Sequence, residues 1–196
     1  MKNIILNTNN INEYIDQIAV IHKNAYHKDH FTSNFSNNKL EEYYQYLINN
    51  SNLSVAYIDT NNNQCIGFII AGESVSKGIA QFISTNQLYL LNIMLKNPSF
   101  LLEKVYTKLY TKIKPSKKPS KAKFRLLSIS VDKNTQSKGV GKSMLDYFEE
   151  ELLKLDIHYY GLSVRYTNTR AIKFYKKNNF IEEKQYMRST YYYKEI

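Results

Sequence analysis

Apolar positions along the chain alternate between helical and extended spacing, and the alternation predicts most of its elements. Residues 2–7 read as a strand. Asn12 then precedes Ile15, Ile18, Ala19 and Ile21 at helical spacing, which predicts a helix to about Tyr26. HKDHFTSNFS (27–36) has no such period and reads as a loop. Ser36 or Asn37 can cap a second helix that runs through Leu40, Tyr43, Tyr44, Leu47 and Ile48. LSVAYID and CIGFIIAGE, joined by TNNNQ, predict an antiparallel hairpin over 53–73.

Residues 79–113 form a helical insert. IAQFISTNQLYLLNIML (79–95) and SFLLEKVYTKLYTKI (99–113) each read as one helix, separated at Asn97-Pro98. Such a pair can cover the sheet, make a dimer contact, act as a substrate lid or touch a membrane surface. FRLLSISV (124–131) is the next strand, followed by a helix from about Gly139 to Leu155 and the strand HYYGLSVR (158–165). NTRAIKFYKKN (168–178) is helical, and FIEEKQYM and STYYYKEI close the chain as strands. Hairpins mixed with strand-helix-strand crossovers predict an α/β fold with a mixed sheet and helices on both faces, in a single domain over 1–196.

Composition narrows the partners. The 196 residues carry a formal charge of +10, which favours anionic ligands without choosing among them. The densest basic run, KIKPSKKPSKAK (112–123), holds two prolines and no aromatic residue, and reads as a solvated loop rather than a nucleic-acid patch. No apolar stretch is long enough to span a bilayer or to serve as a secretory signal. The single cysteine, Cys65, sits in an apolar run without metal-ligand neighbours, so a cytoplasmic protein without a metal is expected.

The chemistry concentrates at SVDKNTQSKGVGKSML (130–145). GVGKS matches only the tail of a nucleoside-triphosphate P-loop, because Gln136 stands where that loop needs its first glycine. Residues Ser137, Lys138, Gly139, Val140, Gly141, Lys142 and Ser143 nonetheless present successive backbone N–H groups at a helix N-terminus. The two glycines permit close approach of a phosphate, and the two lysines add charge.

Gln136-Ser137-Lys138-Gly139-Val140-Gly141 resembles the Gln/Arg-x-x-Gly-x-Gly/Ala loop of the GNAT superfamily of N-acetyltransferases, which holds the pyrophosphate of acetyl-coenzyme A. NTRAIKFYKKNNF is similar to the family's Asn-x-x-Ala-x-x-x-Tyr-x-x-x-Gly-Phe segment, with Asn168, Ala171 and Tyr175 on one helical face and Asn179 in place of the glycine. Asn is the next-best residue for a left-handed turn after a helix. The likeness is strong over 124–182 and looser over the hairpin and the first two helices.

The resemblance implies a central mixed sheet of about six to seven strands, with 79–113 as an extra helical insert. It implies acetyl-coenzyme A as cosubstrate, attack of a neutral amine on the thioester, and pantetheine lying along Ile129, Ser130 and Val131. An N–H near Ile129 or Val131 would face the oxyanion, and Tyr175 would protonate the leaving sulfur. The base is open among Glu73, His30 and Asp29, with Ser128 and Ser130 able to hold a water wire. A small-molecule primary amine is the expected acceptor: the basic chain suits an anionic one, and HKDHFTSNFSNNKLEEYYQYL with the basic helical insert resembles GNAT members of surface-polysaccharide and nucleotide-sugar modification, which implies an amino-sugar nucleotide as the leading class. A protein or peptide N-acetyltransferase and a noncatalytic acyl-coenzyme A sensor share these motifs. A homodimer is compatible with the insert, whereas nucleic acid and stable membrane insertion are not expected.

Overall fold

The computed structural model of the protein describes residues 1–26, 30–102, 120–135 and 139–196. Its strands are β1 (Lys2–Ile5), β2 (Leu53–Asp59), β3 (Gln64–Gly72), β4 (Arg125–Val131), β5 (Tyr159–Arg165), β6 (Ile181–Tyr186) and β7 (Ser189–Glu195). Its α-helices are α1 (Ile15–Ala25), α2 (Asn37–Asn49), α3 (Val75–Thr85), α4 (Gln87–Lys96), α5 (Val140–Lys154) and α6 (Thr169–Lys177). The strands make one seven-stranded sheet in the order β1-β2-β3-β4-β5-β7-β6. Among the described residues only β4 and β5 pair in parallel. This is the mixed, helix-flanked architecture expected from the sequence.

Strand alternation divides the interior into two cores. Ala56, Ile58, Phe68 and Ile70 face one side, where they meet Ile18 and Ala19 of α1, Leu40, Tyr44 and Leu47 of α2, and Phe82 of α3. Val55, Ile69 and Ala71 face the other side, against Met144, Leu145, Phe148 and Leu152 of α5 and Tyr175 of α6. Fully burying a side chain such as Phe68 or Phe148 contributes about 1.5–3 kcal/mol, so the two layers hold the sheet from both faces.

The run 79–95, expected as one helix, is two. Asn86 ends α3 and precedes α4, and its buried side chain is the cause of the break. Asn86 Nδ2 donates to Glu42 Oε1 at 2.7 Å and to the Phe82 carbonyl at 3.1 Å, while Lys39 Nζ donates to Asn86 Oδ1 at 2.6 Å. Three polar contacts to α2 and α3 therefore outweigh continuation of the apolar helical pattern. Residues 98–102 are helical, and the remainder of the second insert helix lies outside the described residues. Among the described residues no helix is long and apolar enough to cross a membrane.

One irregularity positions everything that follows. Gly67 to Ile70 of β3 pair in step with Val131 to Ser128 of β4, but Ala71 pairs with Leu126, leaving Leu127 as the extra residue of a β-bulge. On its other edge β4 pairs with β5 only at Arg125↔Gly161 and Leu126↔Leu162. Beyond the bulge the two parallel strands part.

Gly78 marks the closest approach of α3 to α2: a Cβ there would lie 2.4 Å from the Tyr46 carbonyl oxygen, which is backbone and cannot swing aside. Gly78→Ala should therefore lower stability by about 1–3 kcal/mol, read from the urea midpoint. A midpoint equal to or above wild type would show that the helices are not in this contact.

Candidate functional site

The gap between β4 and β5 exposes main chain. Asp132 N–H donates to the Ile66 carbonyl at 2.8 Å, and in an antiparallel ladder every second residue turns its N–H and C=O toward the partner strand. The register then points Ser130 and Ser128 at β3 and leaves the amide groups of Ile129 and Val131 facing the gap. Their side chains pack on the α5 side, so the strand presents backbone to the cleft.

At the open end of the gap, Gly139 precedes α5 with φ of +80°, a left-handed conformation that favours glycine. A Cβ at Gly139 would meet nothing within 4 Å, so the turn is open as well as left-handed. Lys142 and Ser143 N–H groups both return to the Gly139 carbonyl at 3.0 Å. The N–H groups of Val140 and Gly141 have no hydrogen-bond partner among the described residues, and they sit at the positive end of a fifteen-residue helix. Gly141 lies close under Phe174, where a Cβ would be 3.4 Å from that ring. Lys142 pairs with Asp146, which offsets part of the positive charge expected of it. Gln136, Ser137 and Lys138 lie outside the described residues.

α6 brings the second motif to the same place. Asn168 is its N-cap, with Oδ1 accepting the Ala171 N–H at 3.1 Å, and it is exposed. Asn179 takes φ of +65°, as expected for a residue in the glycine position. Phe180 N–H reaches the Tyr175 carbonyl at 3.1 Å and Asn179 N–H the Lys176 carbonyl at 3.2 Å, the paired bonds of a Schellman ending. This closure locks Tyr175, which is buried against Phe174, Phe180 and Tyr192. Burial, and then the nearby Tyr26 phenol, push the Tyr175 hydroxyl well above its ordinary pKa.

On the opposite side of the sheet Tyr26, at the end of α1, donates to or accepts from Ser128 Oγ at 2.8 Å. Its ring stacks on His22 at 4.1 Å and meets His30 edge-on at 4.8 Å. His22 Nδ1 bonds Tyr44 Oη at 2.7 Å, His22 Nε2 bonds Thr32 Oγ1 at 2.8 Å, and Thr32 Oγ1 bonds His30 Nδ1 at 2.8 Å. Burial lowers both imidazoles, His22 to about 3 and His30 to about 4, with His30 acting on His22 and Arg165 of β5 acting on His30 as further causes. Both rings are therefore neutral at pH 7.

Of the candidate bases, His30 lies in this cluster. Glu73 is exposed beyond Gly72, which pairs with Arg125, at the end of β4 away from the Gly139 turn. Asp29 lies outside the described residues. Tyr26, His22, Thr32 and Tyr44 were not singled out from the sequence. His22 falls on the apolar stripe of Ile15, Ile18 and Ala19, and a histidine there, four residues before Tyr26, was the available signal.

A sequence model of the acetyltransferase (GNAT) family matches residues 22–180. No curated protein matches the chain in sequence. Among solved structures, the PaiA N-acetyltransferase of Thermoplasma acidophilum in complex with coenzyme A is similar at 15% identity and a TM-score of 0.56, over the whole of both chains. An aminoglycoside 6'-acetyltransferase type Ii is similar at 12% identity and 0.62, over all of this chain and 97% of that one. A ribosomal-protein-alanine N-acetyltransferase of Brucella melitensis is similar at 13% identity and 0.58, again over the whole of both chains. At these identities the likeness concerns the fold.

The two buried imidazoles make stability depend on acid. Their pKa is about 6.5 when unfolded and lower when folded, so the unfolded chain takes up protons first as pH falls. Their stabilising contribution is complete above about pH 6.5 and is lost as pH drops toward 4 and then 3. The urea midpoint should fall between pH 7 and pH 4, and less steeply in a His22→Gln/His30→Gln double variant. Equal slopes would mean that neither ring is held neutral.

Proposed function

The chain belongs to the GNAT acetyltransferase family, matched over residues 22–180, and we propose that it moves the acetyl group of acetyl-coenzyme A onto the primary amine of a small molecule, with an amino-sugar nucleotide as the leading acceptor. GNAT acetyltransferases act on amines, so the class of reaction is an acyl transfer. The observation that carries the finer reading is the parting of β4 and β5 between the Gly139 turn and Tyr175.

In this reading the backbone amides of residues 137–143, with Gln136 before them, cradle the pyrophosphate at the start of α5. The pantetheine arm adds to β4 as an extended strand against Ile129, Ser130 and Val131, and packs beside Asn168, Ala171 and Tyr175. The outward N–H of Ile129 or Val131 donates to the carbonyl oxygen as charge builds there, a contribution of about 3 kcal/mol. The amine attacks the thioester carbon, the C–S bond breaks, and the sulfur leaves carrying the electron pair.

In this reading Tyr175 meets that sulfur. A phenol near 10 already gives up its proton reluctantly to a thiolate near 8.5, and burial raises it further. Tyr175 therefore acts mainly by donating a hydrogen bond to the developing thiolate, which suits an effect of about 10- to 100-fold. The amine proton is a separate matter: an imidazole lowered to about 4 is a weak base toward an ammonium group. The hydroxyls of Tyr26, Ser128 and Ser130, which adjoin one another beside the cleft, provide a path for that proton to solvent.

A thiol-release assay with acetyl-coenzyme A across amino sugars, amino-sugar nucleotides, peptides and polyamines tests the reading. Wild type should release thiol with an amino-sugar nucleotide. Tyr175→Phe should lower kcat about 10- to 100-fold with little change in acetyl-coenzyme A affinity. Gly141→Glu, which puts bulk and negative charge under Phe174 at the helix N-terminus, should abolish binding. Unchanged turnover of Tyr175→Phe, with chemistry rate-limiting, would remove Tyr175 from the mechanism, and release with peptides alone would move the acceptor to proteins.

A further inference from the structure

The strands β5 and β7 turn unlike faces to their surroundings. Tyr160, Leu162, Val164 and Tyr192 lie in the core beneath α5 and α6, whereas Tyr159, Gly161, Ser163, Tyr191 and Tyr193 alternate with them and point the other way. No residue of β5, β6 or β7 belongs to the core beneath α1–α4. This second face therefore continues the side of the sheet on which Tyr26 meets Ser128, beyond the helices that cover β1–β3.

Arg125 of β4 reaches across it. Arg125 stands opposite Gly161, and its guanidinium lies over the Tyr191 ring at 5.4 Å. Gly161 makes the crossing possible, because a Cβ there would lie 2.8 Å from Arg125 Nη1. That nitrogen is buried without a hydrogen-bond partner, as is Oε2 of Glu183, whose charge Arg125 feels. Among the described residues the guanidinium makes no hydrogen bond. Burial draws its pKa down while Tyr191, Glu183 and Tyr159 hold it up, and an arginine stays charged in either case. A half-buried charge with an unmatched donor costs stability, and an apolar side chain of similar volume would pack there at less cost. The arginine therefore has a use other than packing.

We propose that Arg125 anchors a phosphate of the acceptor on this face, at the end of β4 away from the Gly139 turn. A guanidinium stacked on a phenol offers a fixed fork to an anionic group. The hydroxyls of Tyr159 and Ser163 lie on the same face and add donors, so the set suits a phosphate, with its three or more acceptor oxygens, better than a carboxylate with two. Four residues of strand separate Arg125 from Ile129, about 10–13 Å, so the phosphate belongs to a part of the acceptor remote from its amine. The inference rests on the acetyltransferase reading for its acceptor, and it makes Arg125 a specificity-determining residue of that site.

Side-chain nitrogen NMR of Arg125 tests the anchor, in protein saturated with coenzyme A so that the Gly139 turn is filled and with uridine diphosphate as the probe. The Arg125 Nε–H signal should shift saturably. Arg125→Met should raise the uridine diphosphate midpoint, followed on backbone amides, about 10- to 150-fold, and Arg125→Lys, which keeps the charge and loses the fork, should recover only part of that. The urea midpoint of Arg125→Met should equal or exceed that of wild type, so that weaker binding is not lost folding. An Nε signal indifferent to uridine diphosphate, one moved by succinate alone, or an unchanged midpoint in Arg125→Met would overturn the proposal. If coenzyme A fails to bind while uridine diphosphate still moves the Arg125 signal, the acetyltransferase reading falls and the anchor stands.

Discussion

The cleft exists because β4 cannot pair with both neighbours along its whole length. The bulge at Leu127 adds one residue and bends the strand, so that pairing with β5 stops after Leu126. A bulge raises local twist and turns a strand away from its partner. The consequence is a stretch of main chain in the middle of the sheet that is not laddered to β5. An extended amide-bearing ligand can add to such a strand edge.

Two layers of packing keep the gap from closing. On one face α5 and α6 hold Phe148 and Tyr175 against the sheet; on the other, α1 holds Tyr26 over Ser128. The bulge matters here too, because it reverses which side of β4 each residue faces. Ser128 and Ser130 point toward α1, whereas Leu126 packs with the α5 core. The polar groups so gathered are phenols, hydroxyls and neutral imidazoles. Charge is concentrated instead at the ends, in the amides that open α5 and in Arg165.

Much of this was legible in the sequence, and the reasons differ by element. The Gly139 turn and the α6 segment are local motifs whose spacing carries their geometry, and Asn179 in a glycine position adopts the left-handed turn expected of it. Most strands were visible as apolar runs, whereas β6 (IEEKQY) is largely charged and polar. The break at Asn86 was not, because the contacts that cause it come from Lys39 and Glu42, about forty residues earlier. The polar chain was hidden for the same reason: His22, Thr32 and Tyr44 lie on three separate elements, and each alone reads as core or loop. Glu73 was singled out as a carboxylate ending a strand, but which end of the sheet that strand finishes at depends on the β3–β4 register.

Amide NMR of the protein with and without coenzyme A tests the cleft most directly. The account predicts that the largest changes, together with slowed hydrogen exchange, fall on Ile129 in β4 and on Gly139, Val140 and Gly141 at the start of α5, while Ser128 and Ser130, already paired with β3, change little in exchange. Binding that leaves the Ile129 amide unprotected would contradict it, because the ligand would then lie somewhere other than between the parted strands.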